Sequence, residues 1–247
     1  MKSEWHIVSN ERIAERIYRM ILRGDTRGIL PGQFVEVLVP GYYLRRPLSV
    51  SDVTGDTLTL IYKTVGEGTA RMAEMASGET LDILTGLGHG YDLTKAGDEV
   101  LLIGGGVGVP PLIYAAKNLR AAGKKVRVVM GFNTRNEVFA ENTFRTLGCE
   151  VTVCTMDGSY GTKGVVTDVL HTPTPFYYAC GPMPMIKAIV RTIGTNGQIS
   201  MEERMGCGVG ICMGCTIETT EGFKRVCKEG PVFSAGALNI DRCADRV

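Results

Sequence analysis

The chain has 247 residues, of which 44% are hydrophobic and 21% charged, as in an ordinary globular protein with one large domain or two to three small ones. Its formal net charge of +1 indicates neither a nucleic-acid nor an anionic-lipid partner, and no apolar run approaches a membrane span or a signal peptide. We therefore expect a cytoplasmic protein without nucleic acid or membrane as partner. In that compartment its eight cysteines suggest metal binding or redox chemistry rather than disulfides.

Short apolar strands dominate the first part of the chain. They include QFVEVLV, RPLSVSDV, TLTLIYKTV and ETLDILTGL, and Gly, Pro and Asp turn signals separate them. Strands at this spacing predict a small antiparallel barrel over residues 1–96.

Two stretches of this barrel suggest phosphate binding. In LRRPLSV, Arg46 followed by Ser49 suits a phosphate clamp and a hydrogen bond to a ring nitrogen, but Arg45 and Arg46 equally suit solvated strand-edge charges. In GEGTARM, Gly68 frees the backbone and Thr69 is expected to open a helix as its N-cap.

The pattern changes at residue 97 to strand, glycine loop, helix and strand. Such a βαβ unit, followed by the buried strands EVTVCT and PFYYACG, predicts a parallel-sheet nucleotide domain over residues 97–197. The helix should begin near Pro110. Four glycines precede it: Gly104, Gly105, Gly106 and Gly108. They suit a pyrophosphate bound at a helix N-terminus. Because their spacing departs from G-x-G-x-x-G, a tight turn without a bound phosphate is the alternative.

A cysteine- and glycine-rich module is predicted over residues 198–247. Cys207, Cys212 and Cys215 have the spacing of a plant-type [2Fe–2S] ligand loop. Zinc is the rival, although a zinc ribbon normally has two C-x2-C knuckles and this chain has one. Three buried small side chains are the remaining alternative.

Two downstream cysteines compete as fourth ligand. The longer gap to Cys243 is nearer to that of plant-type ferredoxins. However, TIETTEGFKRVC predicts a hairpin that returns Cys227 to Cys215, with Glu221 and Gly222 at its turn, and we choose Cys227.

The remaining cysteines and the histidines show no ligand pattern. Cys149 and Cys154 flank the strand EVTV and are expected in the core. The histidines, His6, His89 and His171, are scattered and suit surface or core positions.

Six motifs occur in a familiar order: RRPLS, GEGT, LIGGGVGVPPL, DGSYGTKG, ACGPMPM and EERMGCGVGICMGC. Together they resemble the electron-transfer subunits of class 1B dihydroorotate dehydrogenases, members of the ferredoxin–NADP reductase superfamily. The resemblance covers nearly the whole chain. It implies an FAD-binding barrel, a nicotinamide-nucleotide domain and a C-terminal [2Fe–2S] module. The family carries its fourth cluster ligand in the motif VCKxGPVF, which matches residues 226–233 and so also favours Cys227.

The resemblance further implies which residues bind each cofactor. Arg46 would meet the FAD pyrophosphate and Ser49 the reactive edge of the ring. The full implied set for FAD is Arg46, Pro47, Leu48, Ser49, Ile61, Tyr62, Lys63, Gly68 and Thr69. For the nicotinamide nucleotide it is Gly104, Gly105, Gly106, Gly108, Cys180, Gly181, Pro182 and Met183.

The implied activity is electron transfer from NADH through FAD and the cluster to an FMN-containing catalytic subunit of pyrimidine biosynthesis, in a heterotetramer with two copies of each chain. No catalytic side chain is expected, because the cofactors carry the chemistry. Ser49 and Cys180 have at most positioning roles, and Cys180 equally suits a buried strand end.

Several points stay open or are secondary expectations. A reductase subunit for ferredoxin, a hydrogenase or a sulfide dehydrogenase is one alternative, and a zinc-stabilised or redox-sensing binding module is another. Arg135 stands alone among neutral and acidic residues in GFNTRNEVF, which favours NAD over NADP. The apolar segment GPVFSAGALNI is a candidate docking surface, or else a strand packed on its own module.

Overall fold

A closed antiparallel barrel forms the N-terminal part of the protein. The computed structural model describes residues 2–243. Residue 1 of the predicted barrel domain and residues 244–247 of the predicted cysteine module therefore lie outside the described residues. The barrel strands run in the order β1-β2-β5-β4-β3-β6 around an apolar core, which confirms the predicted barrel. Their bounds are β1 (Lys2–Ala14), β2 (Ile17–Arg23), β3 (Phe34–Leu38), β4 (Arg46–Thr54), β5 (Thr57–Lys63) and β6 (Thr80–Leu87), with helix α1 (Glu67–Glu74) between β5 and β6.

A seven-stranded sheet follows, in the order β10-β9-β8-β7-β11-β12-β15, where β15 (Val232–Ser234) comes from the cysteine-rich segment. The chain moves outward from β7 to β10 and then returns to the other side of β7, so the strand order reverses between β7 and β11. The elements are β7 (Glu99–Gly105), α2 (Pro110–Ala121), β8 (Lys125–Phe132), α3 (Glu141–Thr146), β9 (Glu150–Thr155), β10 (Thr162–Lys163), β11 (Phe176–Cys180), α4 (Met183–Ile193) and β12 (Gly197–Ser200).

The apolar strands of this sheet lie between two buried clusters, as the near-continuous hydrophobic runs require. Cys149 and Cys154 are buried in these clusters, which confirms their predicted core position. Helix α2 begins at Pro110, as predicted, and has 12 residues. No helix in the described part of the chain is long and apolar enough to cross a membrane.

The cysteine-rich segment is partly integrated into the sheet. It contains the hairpin β13 (Thr216–Thr219) and β14 (Gly222–Arg225), followed by β15 (Val232–Ser234). Strand β15 pairs antiparallel with β12, and β12 itself begins at residue 197. The proposed division of the chain at residues 96 and 197 therefore stays a prediction, with the last two units sharing one sheet.

The barrel and the sheet are joined by a half-buried amine. The Lys117 Nζ atom on α2 donates to both oxygens of Asp52, at 3.0 and 3.1 Å, and to the Val53 carbonyl and Thr54 hydroxyl of β4. Apolar barrel residues such as Ile61 also pack into the sheet cluster. This joint fixes the motif on β4 relative to the loops at the ends of the sheet strands.

Candidate functional site

Arg46 and Gly68, which come from two separate motifs, lie side by side. Arg46 opens β4, where its guanidinium lies over the Tyr42 ring at 5.1 Å and donates to the Leu44 carbonyl. Gly68 lies in the first turn of α1, and a Cβ atom there would overlap that guanidinium. A fixed cation thus stands at a helix N-terminus that carries no intervening side chain, an arrangement that suits an anionic phosphate group.

The prediction that Thr69 caps α1 is wrong. The helix begins at Glu67 with Gly66 as its N-cap, so Thr69 is already the third helical residue. Its hydroxyl accepts from the backbone N–H groups of Val65 at 2.9 Å and Gly66 at 3.2 Å, and donates to the Gly66 carbonyl. Capping box chemistry of this kind closes the loop onto the helix, which a sequence pattern based on the N-cap position alone misses.

The start of the β4 motif, as far as Pro47, borders a cleft. Pro47 and Ser49 lie opposite Glu36 and Phe34 of β3, and Pro47, Leu48 and Ser49 are all half-buried. The cleft has a volume of 460 Å³, and residues 44–47 of the barrel and 202–205 of the segment before the cysteine loop line it.

The three predicted FAD contacts on β5 point in different directions. Tyr62 lies in the barrel core, stacked on Tyr18 with ring centroids 5.8 Å apart. Ile61 packs into the sheet cluster, and the Lys63 amine pairs with the Glu137 carboxylate at 3.2 Å. The structure therefore does not bring these side chains together, and their contact with FAD stays a prediction.

The glycine loop and the CGPM turn meet where the strand order reverses. Gly105 ends β7, and Cys180 ends the neighbouring parallel strand β11. A Cβ atom at Gly108 would overlap the Cys180 carbonyl, and one at Gly181 would crowd the Met185 side chain. Only glycine permits this close approach of two backbones. Carboxyl ends of parallel strands at such a reversal are where nucleotides bind in open α/β sheets.

The Cys180 thiol is fully buried beside this turn. Burial raises its pKa well above the ordinary value, the Glu202 charge raises it further, and a hydrogen bond with Ser200 opposes both. The thiol is therefore protonated at neutral pH and unsuited to nucleophilic attack. Tyr91 is buried next to it, which raises the pKa of that phenol as well.

A second cavity of 330 Å³ lies beyond the ends of β8 and β9. The Arg135 guanidinium stacks on the Tyr160 ring at 5.7 Å. The Tyr160 hydroxyl donates to Glu141 at 2.8 Å, and Arg145 pairs with the same carboxylate at 2.8 Å. The cavity therefore combines an aromatic face, one stacked cation and one anchored carboxylate.

The cysteine loop directs backbone N–H groups at its own sulfur atoms. Ile211 and Cys212 donate to Cys207 Sγ at 3.3 and 3.4 Å. Burial opposes ionisation of Cys207, but the backbone amides of Cys212, Val209 and Ile211 lower its pKa from 9 to about 6. Positive φ angles at Gly208, Gly210 and Met213 allow the backbone to curl in this way. Hydrogen bonds from amides to cysteine sulfur suit an iron–sulfur ligand, because they help to set the reduction potential of a cluster.

The hairpin prediction for Cys227 is confirmed, but the turn consists of Thr220 and Glu221 rather than Glu221 and Gly222, because Gly222 already pairs with Thr219 in the ladder. Strands β13 and β14 return the chain, and the Cys227 N–H donates to Cys215 Sγ at 3.4 Å. Cys243 is buried in the apolar cluster that also contains Cys215 and Cys227. Its charged neighbours there include Lys187, Glu203 and Glu218. The four thiols of the chosen set stand as two pairs, Cys207 with Cys212 and Cys215 with Cys227. Across residues 2–243, no three His, Cys, Asp or Glu side chains already converge as metal ligands.

The docking segment predicted just past Cys227 is largely buried. Val232 and Phe233 lie in β15 and are buried in the two clusters that cover the sheet. The segment is therefore a packed strand, as the alternative interpretation expected, but it pairs with β12 of the sheet and is not confined to its own module. A group of exposed apolar side chains lies instead around the cysteines. Val209, Ile211, Met213 and Phe223 are 41%, 81%, 54% and 75% exposed.

Two acidic residues of the site escaped the sequence analysis. Glu202 lines the cleft, and its charge raises the pKa of the Cys180 thiol. It belongs to the EERM stretch before the cysteines, but that pattern gives no sign that Glu202 lies near Cys180. Glu36 is buried against the cysteine loop. Its signal was a lone acid within the apolar strand QFVEVLV, which is visible in the sequence but does not reveal what faces it.

Comparison with known proteins gives a consistent result. Residues 202–239 match the iron-sulfur cluster binding domain of dihydroorotate dehydrogenase B. The chain is 41% identical to the dihydroorotate dehydrogenase B (NAD(+)) electron transfer subunit of Fusobacterium nucleatum, covering 95% of this chain and 97% of that one. It is 44% identical to the corresponding subunit of Bacillus caldolyticus, covering 94% and 96%.

Solved structures share the fold. An NADH-dependent reduced ferredoxin-NADP oxidoreductase superposes with a TM-score of 0.86 at 29% identity, covering 96% of this chain and 90% of that one. A phthalate dioxygenase reductase, which transfers electrons from pyridine nucleotides to [2Fe–2S], gives a TM-score of 0.64 at 16% identity, covering 89% and 87%. The second likeness shows the fold alone.

Proposed function

Because the chain belongs to the family of dihydroorotate dehydrogenase B electron transfer subunits, we propose that it carries electrons from NADH to an FMN-containing catalytic subunit. The observation that carries the proposal is the amide-lined cysteine loop, joined in one chain to the glycine site at the sheet reversal. A dihydroorotate site on a (β/α)8 barrel would be a fold of its own, different from the barrel and the sheet described here. We assign the orotate chemistry to the partner, because the relatives are named electron transfer subunits.

The residues present fit the cofactors of this family. For FAD, Arg46 and the bare first turn of α1 at Gly68 form a cradle that a Cβ atom would fill. For the nicotinamide nucleotide, Gly108 and Gly181 leave a similar space at the ends of β7 and β11. For [2Fe–2S], the thiols of Cys207, Cys212, Cys215 and Cys227 would hold the cluster, with Cys227 rather than Cys243 as the fourth ligand.

When bound, FAD exchanges electron pairs with the nicotinamide and the cluster carries electrons singly, so together they supply the redox chemistry. The protein contributes position. Arg46 would hold the pyrophosphate, and the turn at residues 104–108 would seat the dinucleotide, while the Lys117 amine keeps barrel and sheet in register. The protonated Cys180 thiol at the end of β11 would help to position the nicotinamide without entering the reaction.

The preferred nucleotide is NADH rather than NADPH. Around the cavity beyond β8, Arg135 is stacked on Tyr160 and Glu141 presents a carboxylate. That negative charge suits a ribose 2′-hydroxyl as hydrogen-bond donor and disfavours a 2′-phosphate. Steady-state reduction of a dye by each nucleotide tests this, and a higher kcat/KM with NADPH would refute it.

The partner docks on the face around the cysteines. Val209, Ile211, Met213 and Phe223 form an exposed apolar rim on the cysteine loop and its hairpin, and aromatic and aliphatic side chains of this kind anchor protein interfaces. Electron transfer to a second flavin requires the cluster to lie close to that flavin, so the rim and the relay share one surface. We place two copies of each chain in the complex, and the free cysteines support a reducing compartment such as the cytoplasm.

The test uses the purified chain and its catalytic subunit. Flavin bands, an iron–sulfur shoulder and NADH-dependent reduction of artificial acceptors are expected of the chain alone, and orotate reduction only after the partner is added. A colourless zinc protein, or orotate turnover by this chain alone, would overturn the proposal. For docking, Ile211→Glu should weaken assembly without loss of iron, whereas the exposed Val65→Glu on the barrel should not.

A further inference from the structure

A buried carboxyl group, that of Glu36, lies between the two redox motifs. It is only 1% exposed, and its Oε1 atom has no hydrogen-bond partner. Its neighbours on β3, Val35 and Val37, belong to the barrel core, so strand alternation turns Glu36 away from that core. An unpartnered buried acid costs free energy, so it calls for a reason beyond packing.

The cysteine loop rests directly on this group. A Cβ atom at Gly208 would overlap the Glu36 carboxyl, and the φ angle of +67° at Gly208 favours glycine independently. Across the ladder, Glu36 lies opposite Pro47 of the flavin motif. The carboxyl therefore touches the loop one residue after Cys207 and shares a strand pair with the proposed FAD site.

The surrounding charges leave this carboxyl only partly compensated. Arg45 and Arg46 attract it and Cys207 repels it, while burial is the largest influence and raises the pKa of Glu36 to about 7. The Arg45 guanidinium is already occupied by Asp82 at 2.9 Å and by the Glu36 carbonyl at 3.2 Å. Where it is ionised, this 1% exposed group is a carboxylate in a poorly screened environment, where charges act strongly on their neighbours.

We propose that Glu36 is a positioning residue that places a negative charge beneath the cysteine loop and so lowers the reduction potential of the cluster held there. Net charge near an iron–sulfur centre is one of the factors that set its potential, and a reduced cluster carries one more negative charge than an oxidised one. The inference rests on the proposed function, because it needs a cluster on Cys207, Cys212, Cys215 and Cys227.

The test is a redox titration of the holoprotein at pH 8.5, followed by the electron paramagnetic resonance signal of the reduced cluster. Glu36→Gln removes the charge at nearly constant volume. It should shift the equilibrium constant of the one-electron reduction about tenfold towards the reduced cluster, which raises the midpoint potential by about 59 mV. Glu36→Asp keeps the charge and should stay near the wild-type potential. Glu11→Gln removes a charge from an exposed ion pair on the same barrel and should change nothing.

Each outcome bears on the inference. An unmoved potential in Glu36→Gln, an equal rise in Glu36→Asp, or loss of iron from Glu36→Gln would overturn it, the last because packing alone would then explain the residue. A wild-type chain without cluster iron and sulfide would instead remove the proposed function, and this inference with it. A wild-type cluster with an unmoved Glu36→Gln potential overturns this inference alone.

Discussion

The glycine turn of the sheet and the cysteine loop are both glycine-rich, but they differ in what holds them. The turn at residues 104–108 is seated on buried parallel strands and packs against the Cys180 carbonyl. The cysteine loop has exposed apolar side chains, such as Ile211, and its internal contacts are amides directed at sulfur. The first site is shaped by the protein core, whereas the second depends on the group that its thiols bind.

The largest expected effect removes that group. Cys227→Ser takes away the thiol whose backbone N–H reaches Cys215, and a cluster lacking its fourth thiolate should be lost almost completely. Iron, acid-labile sulfide and the visible spectrum measure this. Cys243→Ser is the matched control, because it removes a buried cysteine from the same apolar cluster, and it should keep normal iron. The reverse pattern would show that the fourth ligand was chosen wrongly.

A second prediction concerns FAD. Arg46→Ala removes the cation that lies against Gly68, and a charge-assisted hydrogen bond of about 1.5–3 kcal/mol corresponds to a roughly 10- to 150-fold weaker FAD affinity. Fluorescence titration of the flavin-free chain measures it. Arg12→Ala, an exposed change on β1, is the control, and equal FAD binding by both variants would contradict the assignment.

A third prediction tests whether the glycine turn is shaped by packing. Gly108→Ala places a Cβ atom against the Cys180 carbonyl, and overpacking of this kind costs about 1–3 kcal/mol. Denaturant unfolding should show this loss, NADH binding should weaken, and the cluster should remain. The control is Gly123, just after the C-terminal end of α2, where an added Cβ atom would meet no other atom. Because its φ angle of +77° is left-handed, the control substitution is Gly123→Asn, since asparagine tolerates that conformation. Equal losses in both variants would refute the argument from close approach.

The smallest effect is expected at the second cavity. Glu141→Gln removes a carboxylate from the cavity that contains Arg135 and Tyr160, and it also releases Arg145. Because partly exposed charges contribute up to about 1 kcal/mol, the preference for NADH over NADPH should fall by up to about fivefold. The ratio of the two kcat/KM values measures it, with Glu150→Gln at the start of β9 as control. A stronger preference for NADH would contradict the role of Glu141.

The same contrast explains what the sequence could predict. Local signals identified the barrel strands, the start of α2 at Pro110 and the hairpin that returns Cys227, because turn residues and apolar periodicity determine such elements. They misplaced the N-cap at Thr69, since its hydroxyl bonds backward to the loop at Gly66. Helix starts depend on such contacts as well as on residue type.

Contacts between distant segments were beyond the sequence. Nothing in the letters shows that Arg46 packs on Gly68, that Glu36 lies under Gly208, or that β15 joins the sheet beside β12. The apolar residues of GPVFSAGALNI suggested a surface, yet strand pairing buries them. An apolar segment alone does not reveal whether it faces a core or a partner.

The most direct test of electron flow compares two activities of one variant. In a complex reconstituted with the catalytic subunit, Cys227→Ser should still reduce ferricyanide with NADH, because the proposed FAD and nucleotide sites lie on the barrel and the sheet. NADH-dependent reduction of orotate should fall to background, since the cysteine loop is the proposed exit towards the partner. Orotate reduction at the wild-type rate by a variant shown to lack iron would contradict the account.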